Sequence, residues 1–400
     1  MADRPPPLAG VTVIDLTQIY AGPYATFMMA QAGANVIKIE PLTGEHLRRR
    51  GVVGGAALPF AMLNANKRAV TLNLKSVRGR ELLTQMVRRA DMLVENFAPG
   101  TMDRLGVGWD VLSAANPRLV YGSSSGYGRS GPNRDYPAMD LTVQAMSGIM
   151  SITGFPDRPP VKTGPAIVDF SAGIHLYGAL MTALYEREKT GQGRLVEVSM
   201  QEAVYPTLSS SLGMMFGAEG GDVPARTGNR HSGMAESPYN VYPTRDGYLA
   251  IICVGEAHWR SLLGAMGRDD LLDDPRLATL KTRVAHMDLV DEIVAAWTAG
   301  FDKQPLFDLL IARHVPCSPV RDLAEVVNDP HMHARGALER IDHPELGAIT
   351  VPRSALRFEG TALTELTPSS ALGAENDSVY GDWLGLSSED IADLRNTGVI

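Results

Sequence analysis

Three short stretches have residue types and spacing suited to chemistry at a carbonyl or to holding a phosphate. Asp140, in Met139-Asp140-Leu141-Thr142, offers a carboxylate at the start of a helical pattern. A helix N-terminus stabilises such an anion, and the same position suits a plain N-cap. Gly122-x-Ser124-x-Gly126 formally matches the elbow that presents a hydrolase serine, and Gly126-x-Gly128-x-x-Gly131 matches the phosphate-cradling turn of dinucleotide sites. Both need a helix at once, which Gly126, Gly128, Gly131, Pro132 and Pro137 deny. What remains is a Gly/Ser-rich loop at a strand end, where ligands gather in parallel sheets. A serine hydrolase acting through Ser124 stays as a rival reading. Among nine histidines the close pair His331-x-His333 lacks flanking carboxylates, so no metal is expected. His175, beside Ile174 and Leu176, reads as a satisfied core residue.

The elements that must position these groups alternate. Strands are predicted at Val11–Leu16, Asn35–Ile39, Arg68–Leu74, Met92–Glu95, Leu119–Tyr121 and Arg194–Val198. Between them, helical spacing covers Tyr24–Gln31, Val77–Ala90, a segment near Val111, Asp140–Ile149 and Asp169–Glu188, and Gln201–Phe216 follows the last strand. This pattern means a parallel sheet covered by helices, an α/β fold. Residues 219–240 lose periodicity, and a smaller α+β domain follows, with a hairpin around Arg245-Asp246-Gly247 and helices at His258–Met266 and Leu289–Ala299. The expected division is a large domain of residues 1–218 and 335–400 and a small one of residues 222–330. A closing helix over Ser388–Thr397 has a serine N-cap.

The chain has 400 residues, 44% of them apolar, enough for one large or two ordinary domains. Lys plus Arg number 37 against 45 Asp plus Glu, a formal charge of -8, which argues against a nucleic-acid partner. No run of 18 uninterrupted apolar residues and no polybasic patch suggests a membrane partner. Two cysteines, Cys253 and Cys317, and an opening without an apolar leader read as a cytoplasmic protein. Cys253, after Ile251 and Ile252, reads as a buried strand residue.

Four segments, in order, carry a family pattern. They are Val13-Ile14-Asp15-Leu16 with Ala21-Gly22-Pro23 and Gly33 to Glu40; Asn64-Ala65-Asn66-Lys67-Arg68 running into Leu72-Asn73-Leu74-Lys75; Glu95-Asn96-Phe97-Ala98-Pro99-Gly100 through Gly106; and Gly126 through Asp140 and Gly148 to Arg187-Glu188-Lys189-Thr190-Gly191-Gln192-Gly193. Together they resemble the family III CoA-transferases, which include formyl-CoA:oxalate and carnitine CoA-transferases and, as relatives, the α-methylacyl-CoA racemases. The resemblance implies a Rossmann-like large domain with a parallel sheet, a smaller α+β domain, and a homodimer of interlocked rings. It implies no permanently bound cofactor, coenzyme A entering as a thioester substrate with a carboxylic acid as acceptor.

Residue by residue, the resemblance puts Ile19, Tyr20 and Ala21 at the adenine end of CoA, and Leu72 and Lys75 near the nucleotide and its phosphates. Asn96 and Phe97 fall along the pantetheine and Arg104 by a phosphate. Lys75 and Arg104 are chemically suited to phosphate oxygens. Where some relatives carry an arginine after the second strand, this chain has Pro41-Leu42, so that a phosphate or adenine contact is either missing or supplied by one of Arg48 to Arg50. Asp140 matches the family's nucleophile, which would pass through an aspartyl-CoA thioester. Ser125 and Gly126, and His231 and Gly233 in a second glycine-containing loop, are the oxyanion candidates. Tyr20, Arg48, Tyr136, His231 and Glu236 are candidates for lining the acyl site, and a cationic anchor there would favour a dicarboxylate such as succinate. The alternative is a racemase, which needs a histidine before the aspartate and a second aspartate opposite. Here Met139 cannot carry a proton, while Asp169 stands in the second position and reads equally well as the N-cap of the long helix.

Overall fold

The computed structural model describes residues 4–50, 57–218 and 223–400. Six runs rich in Val, Ile and Leu form one sheet: Thr12–Asp15 (β1), Asn35–Glu40 (β2), Arg68–Thr71 (β3), Met92–Glu95 (β4), Val120–Ser125 (β5) and Leu195–Ser199 (β6). All pairings are parallel, and the spatial order is β3-β2-β1-β4-β5-β6. β1 to β5 are almost continuously buried, as a sheet covered on both faces requires. Ile14, Ile37, Leu93 and Tyr121 pack on one face beneath Leu82, Leu83 and Met86 of the helix Val77–Val87, joined by Ile391 and Leu394 of the helix Ser388–Asn396. Their chain neighbours Val13, Val36, Met92 and Val120 pack on the other, against Ala25 and Met29 of the first helix (Ala21–Gln31) and Leu176, Leu180 and Ala183 of the long helix (Ile167–Thr190). The long helix has the length and hydropathy to cross a membrane, yet this face of it is built into the core.

The strand order is the doubly wound one, and it reverses between β1 and β4. A crevice therefore opens beyond the carboxyl ends of these two strands, lined by Gln18 and Asn96. Gly22 makes the tight turn into the first helix possible, since a Cβ there would stand 2.4 Å from Thr17 Cβ.

Several elements differ from the sequence expectation. β3 stops at Thr71 and β5 extends through the serines to Ser125. The helix expected over Gln201–Phe216 is broken by a tighter 3-10 turn at Tyr205–Leu208, where Pro206 lacks a donor. His175 is exposed, its Nδ1 2.8 Å from Ser171 O one turn back, and is not a core residue.

Contacts divide the chain into two compact units, residues 1–143, 165–204 and 329–400 in one and residues 144–164 and 205–328 in the other. Residues 144–164 and 205–218, assigned to the large domain from sequence, fall with the second unit, and the expected boundary at residue 222 lies outside the described residues. The grouping has a visible cause: Arg226 donates to Ser151 O and Phe155 O, and Gly228 N to Gly154 O. The second unit holds an antiparallel sheet of Tyr239–Thr244, Gly247–Ile252 and Cys317–Pro319. Trp259, Leu262, Val290, Val294, Leu306 and Leu310 fill its core.

Beneath the crevice of the first unit lies a fully buried ion pair. Lys67 Nζ sits 3.0 Å from Asp15 Oδ2 and within 3.0 Å of Pro23 O, Thr26 Oγ1 and Asn64 Oδ1. Burial alone would raise the Asp15 carboxyl, but Lys67, Lys38 and the hydroxyls of Thr17 and Thr26 outweigh it and hold it at about 2. Because the folded value lies below the unfolded one, this stabilisation is present above about pH 4 and is lost as pH falls toward 2. Lys67→Met strands the Asp15 charge, and at pH 7 it should destabilise the protein by about 3–5 kcal/mol in denaturant unfolding. An unchanged midpoint refutes that role.

Candidate active site

The crevice is framed by an exchange of hydrogen bonds across the strand-order reversal. Asn96 Oδ1 accepts from Gln18 N at 2.8 Å, and Asn96 Nδ2 donates to Gln18 O at 2.8 Å. Asn96 therefore locks the end of β4 to the loop after β1. The next residue, Ile19, has φ 66, a left-handed conformation rare for a β-branched side chain. From below, Lys38 Nζ donates to Thr17 O at 2.8 Å, so the buried charges brace this loop.

Two clefts meet at Gln18 and Phe97, both of which line each. One, of about 460 Å³, is walled mainly by apolar groups, including Leu16, Ile39, Leu42, Leu72, Leu74 and Leu105, with Lys75 as its exposed cation. Leu72 and Lys75 are thus brought together in one cleft. Pro41 and Leu42 line this cleft too, and Arg48 does not replace the missing arginine. It donates to Glu40 at 2.8 Å and to Ser370 O, and stacks over Phe60. Asn73, in the same wall, is held by residues from the far end of the chain, its N–H donating to Val399 O and its Nδ2 to Gly398 O.

The other cleft, of about 510 Å³, gathers Ile19, Ala21, Asn96, Phe97, Arg104, Ser125 and Gly126. Tyr20 is not in either lining; its ring stacks on Phe170 at 6.0 Å. Ser125 Oγ accepts from Gly128 N at 3.1 Å, and Gly126 leaves room for Ala138, whose Cβ would be 2.0 Å from a Cβ at 126. No helix opens at Gly131; the next begins at Asp140, as the rejection of both glycine motifs requires.

The carboxylates are arranged differently from the sequence reading. Asp140 is the first residue of its helix, and its Oδ1 accepts from Val168 N at 2.9 Å and Asp169 N at 3.1 Å, so it caps the first turn of the long helix instead. Asp169 is not that helix's N-cap; the cap position is Ala166, with no side-chain bond. Asp169 is buried and lines the cleft, as does Met139. Burial, and then the Asp140 charge, push its carboxyl up to about 7. Sequence noticed Asp169, but no spacing signal told which aspartate meets the cleft.

His231 and Gly233 belong to the second unit. His231 Nδ1 accepts from Gly233 N at 3.2 Å and Ala235 N at 3.4 Å, which leaves its proton on Nε2. Arg230 ties the same loop to Asp288 and Asp291 at 2.6 and 2.7 Å. Cys253 and Cys317 are free thiols pushed up by burial to about 12 and about 11, outside the range of a reactive cysteine.

Comparison with known proteins decides the family. The model of CoA-transferase family III matches residues 8–376. The chain belongs to CoA-transferase family III. A formyl-CoA:oxalate CoA-transferase of Streptomyces avermitilis is 37% identical, with 98% of this chain and 99% of that one aligned. A succinyl-CoA–D-citramalate CoA-transferase of Chloroflexus aurantiacus is 35% identical over the full length of both. Among solved structures, a CAIB/BAIF family protein from Brucella suis superposes with a TM-score of 0.82 at 31% identity, covering 95% of this chain and 100% of that one. The protein is thus an enzyme of the CoA-transferase class, and the racemase alternative is not favoured.

In this family III CoA-transferase, the raised Asp169 carboxyl carries a cost. An acid whose folded value lies above its unfolded one makes the fold less stable as pH climbs from about 4 to about 7, and the penalty is complete above that. Asp169→Asn should therefore stabilise the protein at pH 8, on the order of 3 kcal/mol, with the gain vanishing toward pH 4. Denaturant midpoints of both proteins at pH 8 and pH 4.5 measure it, and a gain equal at both pH values contradicts the assignment.

Proposed function

We propose that this enzyme moves CoA from an acyl-CoA thioester to a carboxylic acid through an enzyme-bound aspartyl-CoA thioester, with Asp169 as the reacting carboxylate. The observation that carries this reading is the place of Asp169: of the two aspartates it is the one that lines the cleft, whereas Asp140 has its Oδ1 committed to two helix amides. The nucleophile expected at Asp140 is accordingly assigned to its neighbour.

The two clefts sharing Gln18 and Phe97 suit a long bipartite ligand. In this reading the nucleotide end of CoA occupies the apolar cleft beside Leu72 and Lys75, and Arg104 answers a phosphate. The pantetheine passes Asn96 and Phe97, and the thioester reaches Ser125, Gly126 and Asp169. A carboxylate oxygen of Asp169 attacks the thioester carbonyl, the C–S bond breaks, and the thiolate leaves a mixed anhydride. The thiolate then attacks the aspartyl carbonyl, freeing the donor acid and forming aspartyl-CoA. The acceptor carboxylate attacks that thioester, and the expelled thiolate takes the acceptor acyl group, which regenerates Asp169. One thioester replaces another, so no ATP enters the balance.

The acceptor in this reading is a dicarboxylate. The named relatives handle oxalate and citramalate, and Arg134 lines the cleft as a cation for a distal carboxylate. The reading includes a homodimer of interlocked rings, for which the exposed Ile174, Tyr185, Tyr205, Met215 and Phe216 offer apolar surface. It also includes a cytoplasmic site of action, in keeping with two unpaired cysteines.

Incubation with formyl-, acetyl- and succinyl-CoA, hydroxylamine trapping and mass spectrometry of the peptides test the chemistry. A hydroxamate at Asp169, and CoA transfer to oxalate or succinate in preference to acetate, are expected. A hydroxamate at Asp140, or exclusive use of monocarboxylates, overturns the corresponding part. Light scattering should give a mass near twice the 43.0 kDa of one chain, and a single-chain mass refutes the dimer.

A further inference from the structure

We propose that Asp140 is a positioning residue for Asp169: its carboxylate holds the Val168 and Asp169 amides and sets a like charge beside the neighbouring carboxyl, so that Asp169 enters the reaction as a fixed, electron-rich nucleophile. The inference rests on the reading of Asp169 as the acyl carrier.

The first turn of a helix has amide donors without intrahelical partners. Here the cap position is Ala166, which has no side-chain oxygen, and Asp140 supplies the missing acceptor from another helix at 2.9 and 3.1 Å. The same turn is gripped from the first helix. Phe170 is stacked by Tyr20 at 6.0 Å and met edge-on by Tyr24 at 5.0 Å, and a Cβ on Gly173 would stand 2.6 Å from Ala21 O. Asp169 lies between these two grips, so its backbone has little freedom to turn the carboxyl away from the cleft.

The charge has a separate effect. Other charged groups lining the cleft are Arg104, Arg134 and Asp135, all exposed, and Tyr24 is the titratable group on the first helix that packs on the adjacent Phe170. After burial, the Asp140 charge is the influence that keeps the Asp169 carboxyl high. A carboxylate that holds its proton more tightly is the stronger nucleophile once ionised, as Brønsted behaviour requires. At a value near 7 it is ionised often enough to react at neutral pH.

The two effects separate in Asp140→Asn, which keeps an oxygen for both amides but no charge, and Asp140→Ala, which keeps neither. The full chain labelled with 13Cγ-aspartate is titrated by NMR, the Asp169 signal being the one missing in Asp169→Asn. The wild-type midpoint should lie near pH 7, fall by about one pH unit in Asp140→Asn, and stay high in Asp140→Glu. The rising limb of kcat/KM against pH, with the acyl-CoA that labels the enzyme, should fall by the same amount in Asp140→Asn. Asp140→Ala should lose at least tenfold more kcat than Asp140→Asn. An acyl group trapped on Asp169 with an unmoved midpoint in Asp140→Asn overturns this proposal alone. A moved midpoint with the acyl group trapped elsewhere overturns it together with the assignment of Asp169. Equal losses in the Asn and Ala variants with no shift of the limb reduce Asp140 to scaffold.

Discussion

The buried pair of Asp15 and Lys67 is the constraint on which the rest of the site is built. Asp15 ends β1 and Lys67 opens the turn into β3, while the oxygens around the ammonium come from Pro23 and Thr26 of the first helix and Asn64 at the end of the helix Ala57–Asn64. A pair so desolvated is stable only when its remaining hydrogen bonds are also made, so these four segments can be placed in few other ways. Thr17 shares Asp15 with the pair, donating its N–H and its hydroxyl to Asp15 Oδ1, while its carbonyl accepts from Lys38 Nζ. The loop leaving β1 is thereby delivered in register to Asn96. The left-handed Ile19 is the strained residue of this loop, and the network beneath it is what holds the conformation.

In the proposed mechanism, two aspartates on that frame divide a task between them. A carboxylate that must react cannot also be saturated by hydrogen bonds, since each donor lowers its reactivity. A carboxylate that must organise a helix turn cannot be free. The geometry separates these demands onto neighbours, one satisfied by backbone donors and one buried at the edge of the cleft. The stability lost by burying the second is the usual mark of a site selected for chemistry.

The sheet was legible in the sequence because its strands are short hydrophobic runs separated by helical periods, and a parallel sheet follows from that alternation. The strand-end residues Asn96 and Lys75 were legible for the same reason: they end strands or the turns just after them. What could not be read was contact across long separations. The aspartates are 29 residues apart, and either placement satisfies the same local pattern. Residues 144–164 look like a continuation of the large domain until Arg226 is seen to bond to their carbonyls. His175 was misplaced because its neighbours Ile174 and Leu176 differ in environment, the first exposed and the second buried, a distinction that helical phase alone did not settle. Lys38 and Lys67 stand in the family segments with nothing in the local pattern to mark them as buried, because their partners Thr17 and Asp15 lie far off in sequence.

The wall of the apolar cleft has a consequence for the order in which the molecule is assembled. β3 and the loop after it are among the early parts of the chain, yet Glu375 caps Ala69 N, Asn376 bonds to Thr71 N, and Gly398 and Val399 hold Asn73, across 305 to 326 positions. During synthesis this edge strand and its loop wait, unpaired on that side, until nearly all of those positions have left the ribosome. Contacts of such range are slow to form. The wall of the apolar cleft is thus completed late, and in the proposed reading the nucleotide end of coenzyme A finds no finished site there until residues 375–399 have closed over the sheet.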